Sequence, residues 1–213
     1  MVGNSDLVAH REHSRFPPGA GPLFPGTGHG VAVTFHPMTD TISQSTSAPA
    51  TGYQVVVHPS AIVRPVPSFV FATPPGWVVD EAPGAVCAVR ASEPVNDFWN
   101  NALLTHDRVA KAVDLQAAAT ASWGRLKSDA PTATTVMERV AKFGDNVVYL
   151  RGVELEAPQS GKKLAQVHAL FFAPGPDSAK TADLFQFVAT STADQMDDVG
   201  KSFVEMIATF RFV

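Results

Sequence analysis

Two segments near the C-terminal end of the chain alternate apolar and polar side chains, and the segment after them changes to a helical period. Residues 165–172 read Ala-Gln-Val-His-Ala-Leu-Phe-Phe, and residues 183–190 read Asp-Leu-Phe-Gln-Phe-Val-Ala-Thr. A period of two residues is typical of strands, whereas steps of three and four place side chains on one face of a helix. These helical steps join Met196, Val199, Phe203, Ile207 and Phe210. The sequence therefore predicts an antiparallel sheet with a helix packed on it.

Further elements are predicted throughout residues 68–213. Strands are expected at 68–72, 77–79, 85–91, 133–143, 146–156, 162–173 and 183–191, with an ambiguous strand at 97–105 and a helix at 113–128. The final helix is expected to begin at an N-cap Thr192, with Gln195 completing a capping box, and to continue to Val213. The fold class is therefore α/β of the α+β type, with six to seven antiparallel strands flanked by helices.

The predicted strand at 165–172 carries apolar side chains on both faces. Val167 and Phe171 lie on one face, and Leu170 and Phe172 lie on the other. A sheet with one face in water alternates apolar and polar residues, so this sheet needs cover on both sides. The two helices could cover one face each or share a face. If their cover is incomplete, an apolar groove is left for a lipid, an apolar peptide or another subunit; otherwise the helices close the core.

Residues 1–67 differ in composition from the rest and are expected to be a disordered arm. They hold nine of the 17 prolines and a Pro/Gly-rich run at 16–30, which buries too little surface to fold alone. The residues from Met38 onward look like an ordinary start, so residues 1–37 are hypothesised not to be native. We find no secretory signal, lipid-attachment cysteine or membrane-spanning run, and expect a cytoplasmic protein.

Charge and cysteine content exclude several function classes. The chain has 16 basic and 20 acidic side chains, a net charge of −4 and no basic run, which argues against a nucleic-acid binder. Its single cysteine, Cys87, excludes an intramolecular disulfide and a multi-cysteine metal site. Neither a metal nor a cofactor is predicted.

Few residues suggest catalysis. His168 lies within a predicted strand and is the best single candidate for lining a pocket. Cys87 lies on an apolar strand face, where a free cysteine usually serves as a small hydrophobe. A hydrolase would need an acid, a base and a nucleophile to converge from separate strands, for example around His106, His168 and Asp183.

Short motifs in the chain resemble a known family. The sequence reads Phe71-Ala-Thr-Pro74-Pro-Gly76-Trp77 near its first predicted strands and Phe210-Arg-Phe212 at the end of its last predicted helix. Together with the order of elements over 68–213, these motifs resemble the actinobacterial LpqN family of small envelope proteins. The resemblance implies a PsbP-like α/β/α sandwich and carries over no catalytic residue. Envelope members of that family have a signal or a lipid-bearing cysteine, which is not seen here.

We therefore predict a non-enzymatic binding or adaptor protein that holds an apolar ligand, a lipid or a protein partner on its sheet face. The residues expected to line the site are Trp99, His168, Leu170, Phe172 and Phe187. The alternative is a cytoplasmic secretion chaperone that resembles the PsbP-like Eag chaperones, which hold hydrophobic effector segments against their sheets. A homodimer is left open.

Overall fold

A computed structural model describes residues 56, 58–60, 63–158 and 160–213. Its strands are β1 (Phe69–Val70), β2 (Trp77–Asp80), β3 (Cys87–Ala91), β4 (Asn101–Ala110), β5 (Thr134–Phe143), β6 (Asn146–Glu156), β7 (Lys163–Phe172), β8 (Thr181–Thr192) and β9 (Arg211–Phe212). Its helices are α1 (Leu115–Asp129) and α2 (Met196–Thr209), and a 3₁₀ turn at Ala193–Gln195 precedes α2.

Seven strands form one antiparallel sheet in the order β2-β3-β4-β8-β7-β6-β5. The long strand β8 lies at the centre of the sheet, between β4 and β7, and is buried along most of its length. The short strands β1 and β9 pair with each other in a separate ribbon. The predicted α+β fold with a six- to seven-stranded antiparallel sheet is confirmed.

One helix packs on each face of the sheet. Phe203, Met206 and Ile207 of α2 join a core with Phe171, Phe185 and other residues that point to that side. Ala118 and Ala119 of α1 pack with Tyr149, Leu170 and Leu184 on the opposite side. Because both faces of β7 and β8 are apolar, each helix can bury its own face against them. We call the two sides of the sheet the α1 face and the α2 face.

The α2 face holds a dense aromatic core. The Phe171 ring lies edge-on to the Phe210 ring at 4.8 Å and is stacked on Phe185 at 6.1 Å. Gly76, at φ +76°, turns the chain after Pro74, and Trp77 then packs edge-on against Phe203 at 5.8 Å. The motif that prompted the family resemblance is therefore a turn that places a large ring on α2.

The predictions for β4 and for both ends of the last helix are wrong. β4 begins at Asn101 and reaches Ala110 instead of spanning 97–105, because Asn96 and Asp97 adopt left-handed turn geometry, at φ 51° and 57°. The expected capping box does not form: Thr192 makes no capping hydrogen bond and a 3₁₀ turn precedes the helix. The final helix ends at Thr209 rather than Val213, and the residues beyond it pair with β1.

The expected disordered arm lies mostly outside the described residues, and the boundary at residue 68 stays a prediction. Its described part contacts the domain, since the Arg108 guanidinium donates to the carbonyls of Arg64 at 3.1 Å and Pro65 at 3.2 Å. Neither helix in the described part of the chain combines the length and apolarity that crossing a bilayer requires.

Candidate functional site

The two faces of β4 are covered to different degrees. Ala102 and Leu104 point to the α2 face and are each only 1% exposed, whereas their neighbours Leu103 and Thr105 point to the α1 face and are half-buried. The reason is the position of α1, which lies across β6 and β7. Strand β4 lies two strands farther along the sheet from β7. The α1 face therefore offers partly uncovered surface over β4.

Several residues on and around β4 are half-buried on the α1 face. Leu103 is paired with Val188, and Thr105 is paired with Gln186. Paired residues of neighbouring strands point to the same side of a sheet, so these side chains are adjacent. We call the half-buried residues of this surface the β4 strip; they are Trp99, Leu103, Thr105, Phe172 and Gln186.

An arginine and a tryptophan lie at one end of the strip. The Arg90 guanidinium lies 4.6 Å from the centre of the Trp99 ring and pairs with Asp80 at 3.1 Å. Arg90 is opposite Asn101 in the sheet, two residues before Leu103, so Trp99 lies at the Leu103 end of the strip. A cation over an indole face stabilises the ring in place. Arg90 therefore fixes the orientation of the Trp99 ring, which presents an apolar surface.

Buried polar side chains line the floor beside the strip. His168 Nε2 is 2.8 Å from Gln166 Oε1, and its Nδ1 is 3.2 Å from Gln186 Nε2. Gln166 also donates to Thr190 Oγ1 at 3.2 Å. Burial, and secondarily the charge of Arg151, lower the pKa of His168 to about 4. At neutral pH, His168 is therefore a neutral member of a polar row that ends at the strip.

Arg151 continues this row beneath α1. Its guanidinium lies 4.7 Å from the Trp123 ring, donates to the Ala119 carbonyl at 3.4 Å, and contacts the Tyr149 hydroxyl. Glu138 is its carboxylate partner at 3.4 Å. A hydrogen bond from Tyr149 is the main reason that the pKa of Glu138 is lowered, and burial raises the pKa of Tyr149 to about 12. This arrangement holds α1 over β6, so β4 is only partly covered on this face.

The predicted site residues do not all lie together. Trp99 and Phe172 belong to the strip, and His168 lies in the adjoining polar row. Leu170 is on the same face, but it is 2% exposed and packs beneath α1. Phe187 lies on the α2 face, edge-on to Phe71 at 5.8 Å, and is 2% exposed. The expected position of Phe187 beside the others is wrong, since its strand partner Ala169 also faces α2.

Asp183 is a buried carboxylate on the α2 face, in contact with two arginines and a histidine. Its partners are His106 Nε2 at 3.0 Å, Arg108 Nη2 at 2.9 Å and Arg64 Nη2 at 3.1 Å. Burial raises the pKa of Asp183, but the hydrogen bonds from His106 and Arg108 and the nearby arginine charges outweigh it, and the pKa is lowered overall.

The constellation suggested for a hydrolase is not assembled. His106 and Asp183 meet on the α2 face, whereas His168 lies on the α1 face, opposite Arg151 and Val188 in the sheet. The sheet itself separates His168 from the other two residues. The His106–Asp183 contact belongs to a cluster of charges that holds Arg64, not to a triad.

Sequence reasoning missed Leu103, Thr105 and Gln186. The alternation that could have found them is present in residues 101–106, Asn-Ala-Leu-Leu-Thr-His, but it is weak because Leu103 and Leu104 are adjacent. Which of these two leucines is more exposed depends on where α1 lies across β6 and β7, and alternation within β4 does not reveal this.

Comparison with known proteins supports the fold and leaves the family open. No family model matches the sequence, and no curated protein matches it significantly. The structure is similar to that of LpqN, involved in cell envelope biogenesis of Mycobacterium tuberculosis, with TM-score 0.58 and 14% identity over 73% of this chain and 87% of that one. It is also similar to cyanobacterial PsbP (CyanoP) of Synechocystis sp., with TM-score 0.50 and 15% identity over 68% and 86% of the two chains.

At such identities the likenesses show the fold alone. The PsbP-like fold expected from the motifs is confirmed, and membership of the LpqN family stays a prediction. The Ran-binding protein Mog1p of Saccharomyces cerevisiae is a looser match, with TM-score 0.47 and 16% identity over 68% of this chain and 90% of that one.

Proposed function

We propose that this chain is a non-enzymatic binding protein that holds an apolar ligand against the β4 strip. The observation that carries the proposal is the contrast between adjacent leucines of one strand: Leu104 is 1% exposed beneath α2, whereas Leu103 is half-buried on the α1 face. Burying the rest of a leucine side chain stabilises a complex by up to about 2 kcal/mol, so a ligand that covers Leu103 gains free energy.

The chemistry of the strip favours an amphiphile. Leu103, Phe172 and the face of Trp99 supply apolar contacts, while Thr105 and Gln186 supply hydrogen-bonding groups at the edge of the polar row. Sites for small ligands typically combine apolar walls with a few polar groups that set orientation. A lipid with an acyl chain on the strip and a polar group near Gln186 matches this pattern. The likeness to LpqN, involved in cell envelope biogenesis, is consistent with a lipid.

The placement of the three candidate catalytic residues favours a binding role over an enzymatic one. Nucleophilic hydrolysis requires a nucleophile, a base and an orienting group within hydrogen-bond reach. His106 and Asp183 are engaged with Arg108 and Arg64, and His168 lies across the sheet from them. These three residues therefore give the hydrolase alternative no support.

A second candidate is a cytoplasmic chaperone or adaptor of the Eag type that holds a hydrophobic segment of a partner protein. Half-buried polar side chains favour it: Thr105 and Gln186 offer hydrogen-bonding groups that an acyl chain does not use but a polypeptide backbone can. A segment lying along β4 would place its apolar residues on Leu103 and its backbone near Gln186.

Native mass spectrometry of protein purified gently from its own host tests the proposal. A retained adduct of lipid mass supports the first candidate, and a co-purifying polypeptide supports the second. If the protein carries neither, and titration with lysophosphatidylcholine below its micelle concentration gives no bound species, the proposed binding role is wrong.

A further inference from the structure

Strand β5 leaves a long backbone edge unpaired. It ends the seven-stranded sheet, and within the residues that the structure describes it pairs with β6 alone. β5 has ten residues, whereas β2 at the opposite edge has four. Natural proteins usually keep edge strands short or cover them, because a row of free N–H and C=O groups invites another strand. Val140, near the middle of β5, is 59% exposed.

A bulge defines which part of β5 can accept another strand. The register with β6 shifts between Thr135 and Met137, so the backbone is irregular there. At the other end, Gly144 at φ +58° begins the turn into β6. The regular part is therefore residues 137–143, Met-Glu-Arg-Val-Ala-Lys-Phe. Its central residue is Val140.

This seven-residue run is complementary to itself when antiparallel. A two-fold axis perpendicular to the sheet keeps each side chain on its own face. Because successive residues of a strand point to opposite faces, the axis must relate one residue to its own copy and cannot fall between two residues. With the axis at Val140, Glu138 lies opposite the partner's Lys142, and Met137 lies opposite the partner's Phe143. The symmetry produces each of these pairs twice. Opposite charges and apolar pairs directly across from each other stabilise antiparallel strands.

Neighbouring registers lack this match. An axis at Arg139 places that arginine opposite its own copy, and an axis at Glu138 does the same for the carboxylate. An axis at Ala141 pairs Val140 with the partner's Lys142 and produces no ion pair. Like charges directly opposite are destabilising. The register centred on Val140 is therefore the one that the charges select.

We propose that β5 pairs with β5 of a second copy of this chain, centred on Val140, so that two sheets join into one across a two-fold axis. Glu138 is able to take part because its side chain is 43% exposed, even with its contacts to Arg151, at 3.4 Å, and to Tyr149. The edge is remote from the β4 strip in the sheet order, so the dimer leaves ligand binding free.

Charge reversal tests the pairing. Light scattering after size-exclusion chromatography should give twice the monomer mass of 22.6 kDa for the full chain. Lys142→Glu places a glutamate opposite Glu138 in both symmetry-related pairs, and should raise the dissociation constant of the dimer by about tenfold or more. Glu138→Lys should do the same with two basic pairs. Mixing the two variants should restore a dimer, because each pair across the heterodimer then has opposite charges.

A cross-link gives a second readout that does not depend on Glu138, whose loss also removes a partner of Arg151. In a Cys87→Ala background, Val140→Cys should form an intermolecular disulfide under mild oxidation, since opposed Cα atoms of antiparallel strands lie about 4.5–5.5 Å apart. Val79→Cys, on β2 and 69% exposed, is the matched control and should not cross-link. A wild-type monomer at all concentrations overturns the proposal, as does a dimer that is indifferent to Lys142→Glu and does not cross-link at position 140.

Discussion

Replacing Asp183 with asparagine should destabilise the fold and loosen the residues just before β1. Asp183 is 3% exposed and contacts His106, Arg108 and Arg64. The asparagine side chain would keep the shape of the aspartate but remove its charge, leaving two arginines around a neutral amide. Arg108 also holds the Arg64 and Pro65 carbonyls, so the change should free that segment as well.

The expected loss follows from the burial of each partner. Removing one member of a fully buried ion pair costs about 3–5 kcal/mol. The side chains of Arg64 and Arg108 are 26% and 29% exposed, so water can compensate part of their charge. We therefore expect a loss of about 2–3 kcal/mol of unfolding free energy at pH 7. For a domain of this size that corresponds to about 4–12 °C in melting temperature.

The pH dependence has a definite sign. Because the pKa of Asp183 is lowered in the folded state, its contribution is complete above the unfolded pKa of about 3.9 and is lost as pH falls through the folded pKa. The gap in stability between wild type and Asp183→Asn should therefore narrow in acid, below about pH 4.

Denaturant unfolding monitored by circular dichroism measures the effect, and Asp107→Asn on strand β4 is the matched control. The Asp107 carboxylate is 60% exposed and lies 3.9 Å from Arg125, so its loss should cost less than about 0.5 kcal/mol. Limited digestion with proteinase K should also cleave the segment at residues 63–68 faster in Asp183→Asn. Equal unfolding free energies for wild type and both variants would refute the account of this cluster.

Other predictions concern the two cores and the polar row. The pKa of His168 is lowered to about 4 in the folded state, so below pH 6.5 the unfolded state binds more protons than the folded state. The unfolding free energy of the wild type should therefore fall by about 2 kcal/mol between pH 7 and pH 5. The unfolding free energy of His168→Gln should change little over that range, and an equal fall in both proteins would contradict the lowered pKa of His168. Phe203→Ala, at a side chain that is 0% exposed, should cost about 3–5 kcal/mol in denaturant unfolding, whereas a cost below about 1 kcal/mol would mean that α2 is not packed as described.

Local patterns were enough to predict most of the sheet. The alternation in β7 and β8 and the turn glycines Gly144 and Gly161 place strands where the structure has them. The apolar character of both faces of β7 correctly indicated cover on two sides, and one helix lies on each. Side-chain periodicity and turn chemistry are local properties, so a single sequence carries them.

The site could not be predicted to the same degree because it depends on register and helix placement. Phe172 and Phe187 end on opposite faces since His168 pairs with Val188, a register that the connection between β7 and β8 does not reveal by itself. The end of α2 is not predictable for a similar reason: Phe210 continues the helical apolar spacing, but Arg211 and Phe212 pair with β1 from the far end of the domain.

The most direct test of the proposed function is a binding titration with the neutral apolar fluorophore N-phenyl-1-naphthylamine on three proteins. Leu103→Lys places a charge on the β4 strip, and Val79→Lys places the same charge on an exposed position that pairs with Val89 on the α2 face. We predict that wild type and Val79→Lys bind the fluorophore with equal affinity, and that Leu103→Lys binds about tenfold more weakly or worse, since a buried ammonium opposes an apolar ligand. Equal affinity in all three proteins, or no binding by any, would contradict a ligand site on the β4 strip.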